Sequence, residues 1–444
     1  MCDGTQQVEL QPKPKEPLYD RSIALIPDGT CTASKSANRF VQGVYPKFAV
    51  SAKGCRVTCD DGKEYIDTVG ALGPILLGYR YDRVDDAVCR QIKESGMIFS
   101  IPHALETEVA ELIQELNPPV EMIRFFKNGS DANNAAIKLA RAYTEKMGLA
   151  VCKPGYFGNG DWFQVGEGAN AGIPLDLDEY LFPFKFNDVD SLRDVVTGRN
   201  GESCDDISAV IIEQGLEEPK PGFYDEIRQI CDQHRMLLIL DEVVTGFRWG
   251  TGGARKHYGI DPDLISYGKA IGGGMPLSVV AGKRKYIRRL AEDVFYSTTF
   301  GGDCTALAAA RETLTILKTE PVIPHIWEMG KLWMDGFNEQ VKARGLEDTA
   351  FVLGHPPRSV VKFKGNNGQY DETIRAVFMQ ECLKLGVFFG IPIFPSYSWT
   401  KEDVAIILKA TDHALDVVKT IVQGGYDPRG LLEGEMPKVL GIRR

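Results

Sequence analysis

Three residues and one turn stand immediately after short apolar runs and carry groups that could do chemistry. Glu213 follows Val210-Ile-Ile, Asp241 follows Leu237-Leu-Ile-Leu, and Lys269 follows Leu264-Ile-Ser-Tyr-Gly. The turn is Asn128-Gly129-Ser130-Asp131, reached from Arg124-Phe-Phe-Lys. If the apolar runs are parallel strands of one sheet, their carboxyl ends share an edge, which is where open α/β sheets bind ligands. Two carboxylates, an amine and a hydroxyl beside a glycine would then face one crevice. A lysine desolvated in such a place can lose its proton and attack a carbonyl to form a Schiff base. Gly129 allows close backbone approach, and Ser130 offers a hydroxyl beside the N–H groups of a helix start, which together suit an anion. Asn, Ser and Asp are also the usual capping residues, so the turn alone reads as an ordinary helix cap too.

An apolar strand ending in Asp241-Glu242 also suits the magnesium-binding strand of a P-loop ATPase. That reading needs a Gly-x-x-x-x-Gly-Lys-Ser/Thr loop; Gly268-Lys269-Ala270 and Gly330-Lys331-Leu332 lack the hydroxyl residue and the preceding glycine. Pyridoxal phosphate (PLP) makes three demands: a Schiff-base lysine, an anion cradle for its phosphate, and a carboxylate that keeps the ring nitrogen protonated. Lys269, Gly129 with Ser130, and Asp241 match them one for one.

The elements that must hold these groups follow from pattern. Apolar runs at Ile123–Phe126, Leu149–Cys152, Ala209–Ile212, Met236–Leu240, Leu264–Tyr267 and Leu277–Ala281 alternate with helical stretches. This predicts a buried, doubly wound parallel sheet over about residues 85–320. A helix is expected over Ala132–Met147, stopped by Gly148. A hairpin is expected within 50–69, its strands Cys55–Cys59 and Glu64–Val69 separated by Asp60-Asp61-Gly62. Pro324 opens a one-sided apolar helix closed by Gly345, and Thr400 with Asp403 opens another that ends at Gly424-Gly425. The resulting division is a flexible lead over 1–36, a small lobe split between 37–84 and 321–444, and the large lobe at 85–320.

Composition sets the outer limits. The chain has 444 residues, and its 51 basic against 61 acidic side chains leave a net charge of −10. No basic surplus argues for nucleic acid or an anionic membrane as a partner. Ten scattered cysteines show neither zinc-ligand spacing nor the density of a disulfide scaffold, so no metal is expected. Residues 1–20 are polar and proline-rich, without an apolar stretch of signal-peptide length, and a cytoplasmic location is expected.

Two longer stretches carry a family resemblance. Asp241-Glu-Val-Val-Thr-Gly-Phe-Arg248 and Asp261-Pro-Asp-Leu-Ile-Ser-Tyr-Gly-Lys-Ala-Ile-Gly-Gly-Gly-Met-Pro276 resemble the signature of class III aminotransferases, in the subgroup around glutamate-1-semialdehyde aminomutase. Phe125–Ala132 resembles that family's phosphate turn, and Ser297–Gly302 its threonine-glycine segment. The resemblance spans about residues 36–430. It implies the PLP fold type I, an α/β large lobe with a mainly parallel sheet plus a split α+β small lobe, in a homodimer with shared active sites. It further implies that Lys269 forms the Schiff base and shuttles protons, and that Asp241 meets the pyridine nitrogen. Val243 and Tyr156 would cover the two ring faces. Gly129 and Ser130 would bind phosphate together with Thr299 of the neighbouring subunit, and Glu213 would lie near the cofactor.

The implied reaction moves an amino group from an amino-acid donor, expected to be glutamate, to an aldehyde or ketone acceptor that could be sugar-like. The alternative is intramolecular transfer, as in the 2,1-aminomutase. Several departures weigh against the mutase: Phe157 stands where the family often has histidine, Gln214 follows Glu213 in place of proline, Leu72 replaces a tryptophan, and Pro395-Ser-Tyr-Ser-Trp399 lacks a glutamate. Arg39 is a candidate for gripping a carboxylate or phosphate, since arginine offers a bidentate fork; it is equally an arginine of the surface. His103, Tyr397 and Trp399 are weaker candidates for lining the pocket, each better read as structural.

Overall fold

The structure, a computed structural model, describes residues 17–165, 171–198 and 205–438. Three strands open it: β1 (Ala49–Lys53), β2 (Arg56–Cys59) and β3 (Glu64–Asp67). The main sheet uses β4 (Met122–Phe126), β5 (Gly148–Lys153), β6 (Leu181–Lys185), β7 (Ile207–Glu213), β8 (Leu237–Glu242), β9 (Leu264–Tyr267) and β10 (Ser278–Gly282). Four more follow: β11 (Ala350–His355), β12 (Arg358–Phe363), β13 (Val387–Phe388) and β14 (Pro392–Ile393).

The main sheet has the order β4-β10-β9-β8-β7-β5-β6. Strands β9, β8, β7, β5 and β6 pair in parallel. Strand β10 pairs antiparallel with both β9 and β4, so β4 points the same way as the parallel group. The apolar run at 277–281, expected to be parallel, is therefore the one reversed strand. Its composition could not reveal this, because a strand buried on both faces is uniformly apolar whichever way it runs. The edge strand β6 was not anticipated; Pro183 and its exposed positions fit an edge rather than a central strand.

Alternate side chains along each strand serve opposite faces. Leu149, Val151, Ala209, Ile211, Leu237 and Ile239 pack with the alanines of helix Gly129–Thr144. Ala150, Val210, Ile212, Leu238 and Leu240 pack on the other side with Phe223, Ile227 and Ile230 of helix Phe223–Gln233. Both faces are covered, which explains the unbroken apolar runs.

A separate core joins the two ends of the chain: Val41, Val57 and Ile66 pack with Trp333, Phe337, Phe378, Leu415 and Val418. Within it β2 and β3 form the anticipated antiparallel hairpin, with Gly62 at φ 77° in its turn. β1 extends it on one side and β13 pairs parallel to β3 on the other. Helix Lys401–Gly424 starts at Thr400, whose hydroxyl accepts from Asp403 N while Asp403 accepts from Thr400 N, and Gly425 ends it in the left-handed region. The helix expected at 132–147 instead runs Gly129–Thr144, with Glu145 turning left-handed at its end. Of the lead over 1–36, residues 1–16 lie outside the described residues. Residues 18–25 are helical, and short 3-10 turns follow at 27–29 and 33–35. No helix among the described residues is long and apolar enough to cross a membrane.

Candidate active site

Strands β4, β7, β8 and β9 end on the same edge of the sheet, and those ends carry the candidate chemistry. Glu213 and Asp241 are direct neighbours across β7 and β8, and Asp241 is opposite Ser266 on β9. Lys269 begins the 3-10 turn Lys269–Gly272 two residues after β9. Its φ of 44° places it in the left-handed region, a strained conformation for a side chain with a Cβ. Gly73, from the chain's N-terminal portion, lies against this lysine: a Cβ added there would sit 3.4 Å from Lys269 Cδ.

Asp241 is only 2% exposed. Its Oδ1 accepts from Val243 N at 2.8 Å and its Oδ2 from Asn133 Nδ2 at 2.7 Å. Burial, reinforced by the neighbouring Glu213 charge, pushes its pKa up to about 7 despite these donors and the opposing pull of Lys269. Burial likewise pulls the Lys269 ammonium below its ordinary value, helped by Arg358 and Arg248 and opposed by Asp241 and Glu213. A carboxylate and an amine are thus both moved toward neutrality in one enclosure.

Glu213 accepts from Tyr156 N at 3.1 Å and pairs with Arg358 Nη1 at 2.9 Å. The Tyr156 ring is 64% exposed, and its hydroxyl donates to Asn159. The phosphate turn starts helix Gly129–Thr144: Asn128 caps Asp131 N, and the Ser130 hydroxyl accepts from Asn159 N at 2.9 Å. Val243 packs at the centre, since a Cβ on Gly129 would meet its methyls at 3.0 and 3.1 Å and one on Gly268 would meet Cγ1 at 3.1 Å. Gly129, Ser130, Glu213, Asp241, Val243 and Lys269 are therefore drawn together by one sheet edge, with Tyr156 attached through Glu213.

The remaining candidates lie elsewhere. Thr299 is exposed on the loop before helix Cys304–Thr319. Arg39 donates to the carbonyls of Lys438 and Ala33, tying the two ends of the chain together. His103 caps helix Ala104–Leu116, Tyr397 packs edge-on to His325, and Trp399 is buried in the core formed by the chain ends.

Three residues of the site escaped the sequence reading. Arg248 is 1% exposed and has no carboxylate partner among the described residues; it donates to the carbonyls of Gly73, Pro357 and Pro395 and lies over the Phe394 ring. Burial pulls its pKa down to about 9, a measure of the cost of holding a cation there, since a guanidinium stays charged. Arg358 and Asn133 are the other two. A polar residue among the buried alanines of a helix was an available signal for Asn133.

These residues fit PLP. The buried carboxylate, the desolvated amine and the hydroxyl at a helix N-terminus are the groups that its ring nitrogen, its aldehyde and its phosphate would require.

Comparison with known proteins agrees. Residues 40–415 match the family model described as aminotransferase class-III.

The chain belongs to the class-III aminotransferases.

It is 34% identical over 415 residues to the 3-aminobutyryl-CoA aminotransferase of Cloacimonas acidaminovorans, covering 91% of this chain and 97% of that protein. It is 32% identical to the glutamate-1-semialdehyde 2,1-aminomutase of Syntrophobacter fumaroxidans, covering 91% and 98%. Among solved structures, the PLP internal aldimine form of the FumI protein of Sphingopyxis sp. MTA144 superposes with a TM-score of 0.84 at 29% identity, covering 94% and 98%. The fold is thus PLP fold type I, and PLP is the cofactor of this class-III aminotransferase.

Proposed function

We propose that this class-III aminotransferase takes an amino group from an amino-acid donor, glutamate first among candidates, and passes it to an aldehyde or ketone acceptor, sugar-like ones included. The observation that carries this is the half-buried Lys269, just past a strand end, beside Asp241 and Glu213 at the ends of the adjoining strands. PLP, when bound, supplies the electron sink and the carbonyl carbon on which an amino group is stored between donor and acceptor.

The chain's own groups do the rest. Gly129 N–H and the Ser130 hydroxyl would bind the phosphate at the helix start. Asp241 Oδ would hold the proton of the ring nitrogen in place, and Val243 and Tyr156 would cover the ring faces. Lys269, whose ammonium burial holds below its ordinary value, would hold the cofactor's carbonyl carbon and would move a proton to and from the substrate carbon. Glu213 and Arg358 form an ion pair beside Tyr156.

A homodimer with Thr299 reaching the partner's phosphate site belongs to the same reading. Exposed Met97, Ile98, Phe99 and Ile101 adjoin the segment bearing exposed Phe300, joined by the bond from Cys304 N to Met97 O. Such an apolar surface suits a second copy of the chain. The proposed lobe division is 37–84 with 321–444 against 85–320.

The decisive experiment is a half-reaction. Wild-type protein mixed with glutamate should convert its cofactor to the amine form and release a keto acid, while Lys269→Ala should lose the lysine-linked absorbance. Unchanged absorbance in that variant would sink the assignment of Lys269. The second reading, intramolecular transfer, is favoured by the aminomutase relatives. Formation of 5-aminolevulinate from glutamate-1-semialdehyde, with no keto acid from any donor, would establish it instead.

A further inference from the structure

Asn133 is 1% exposed, on a helix whose neighbouring buried positions are Ala132, Ala135 and Ala136. An amide is costly in such surroundings unless every polar atom finds a partner. Here every one does. Nδ2 donates to Asp241 Oδ2 at 2.7 Å and to Phe157 O at 2.8 Å, and Oδ1 accepts from the Ser266 hydroxyl at 2.6 Å. The orientation of the amide is dictated by chemistry. A carboxylate and a carbonyl only accept, so the NH2 group must face them, leaving the oxygen for the one neighbour that can donate.

We propose that Asn133 is the positioning residue that aims the Asp241 carboxylate at the ring nitrogen of PLP and keeps it ionised. The inference rests on the reading that Asp241 meets that nitrogen. Among the described residues two hydrogen-bond donors reach Asp241: the backbone N–H of Val243, which almost any residue at 243 would supply, and the amide of Asn133. Phe157, whose carbonyl takes the second Asn133 proton, has no side-chain donor to offer. The other charged groups facing Asp241 are Glu213 on β7, which works against its ionisation, and Lys269 after β9, which works for it.

The placement has a further consequence. Asn133 lies one helical turn, about 5.4 Å along the axis, beyond the Gly129–Ser130 start of the same helix. One rigid helix would therefore set both the phosphate end of the cofactor, through its first turn, and the acid at the opposite end, through Asn133. Ser266, on the strand between Asp241 and Lys269, locks the amide against rotation.

The test uses the full chain carrying Asn133→Leu, Asn133→Asp, Ser266→Ala or Asp241→Asn. Stripped protein is titrated with PLP, and the pH midpoint of the bound cofactor's absorbance is followed alongside kcat and KM for the donor. Losing a hydrogen bond to a charged group predicts PLP binding about tenfold weaker or more in Asn133→Leu. The absorbance midpoint should rise by about one pH unit. Meanwhile kcat should fall with little change in KM. Asn133→Asp should be at least as impaired, because it sets a second carboxylate against Asp241. Ser266→Ala removes a single hydroxyl and should shift the same midpoint by less, so it serves if the Asn133 variants do not fold. Wild-type PLP affinity and midpoint in folded Asn133→Leu, or an unmoved midpoint in Ser266→Ala, would overturn the proposal. If Asp241→Asn also binds PLP normally, the fault lies with the Asp241 reading; if Asp241→Asn is impaired and the others are not, it lies with Asn133 alone.

Discussion

In the cofactor-free protein, Asp241→Asn should increase stability at pH 8, and that gain should shrink or vanish at pH 5. The carboxyl group is buried and its pKa rises from 3.8 to about 7. At 1.36 kcal/mol per pH unit, an ionised Asp241 costs the empty fold about 4 kcal/mol above pH 7. The sign follows from proton counting. Between pH 3.8 and 7 the folded state holds a proton that the unfolded chain has released, so stability falls as pH rises through this window and is level above it. Asparagine removes the titration. It also sets its own NH2 against the NH2 of Asn133, at a cost of about 1–3 kcal/mol. That cost is the same at every pH, so comparing two pH values cancels it. Urea melts of stripped wild type and Asp241→Asn at pH 5 and pH 8 should therefore give stability differences about 3 kcal/mol apart, with the variant favoured at pH 8. A gap below about 1 kcal/mol would refute the idea that this carboxylate is held under stress until the cofactor arrives.

Three further outcomes follow from the geometry. Arg248→Met removes a cation that depresses the Lys269 ammonium, so the pH profile of PLP recapture by stripped protein should move to higher pH; an unmoved profile would mean the two groups do not communicate. Gly129→Ala places a methyl 3.0–3.1 Å from the Val243 methyls, which must give way at the ring-facing position. PLP binding should weaken severalfold and recover in the double variant with Val243→Ala, and a failure to recover would point to the phosphate turn itself. Thr400→Ala deletes the cap of helix Lys401–Gly424 and should cost about 1 kcal/mol in urea melts without altering PLP affinity.

The parts of the site readable from the chain were those whose cause is local. Apolar runs of four to five residues marked β4, β7, β8 and β9, and the group following each run marked the edge where Glu213, Asp241 and Lys269 meet. The caps at Asn128 and Thr400 and the turn at Gly62 were likewise written within a few residues, because capping and turn geometry are satisfied by near neighbours. Boundaries were less legible. Helix Gly129–Thr144 begins at its cap rather than at the first alanine, and it ends at Glu145, a residue with no intrinsic preference for the left-handed region.

What escaped the sequence depended on partners far away along the chain. The bond from Asn133 to Asp241 spans 108 residues, that from Arg358 to Glu213 spans 145, and that from Arg248 to Gly73 spans 175. No local pattern distinguishes an arginine destined for solvent from one buried among carbonyls, because the difference is made by segments that arrive only on folding. The same holds for β10, whose direction is set by its neighbours and not by its composition. The sequence by itself determined the cofactor chemistry, since the residue types and their places at strand ends are local properties. Tertiary structure alone decided how those groups are tuned, because burial and charge proximity, which move Asp241 up and Lys269 down, exist only once distant strands are side by side.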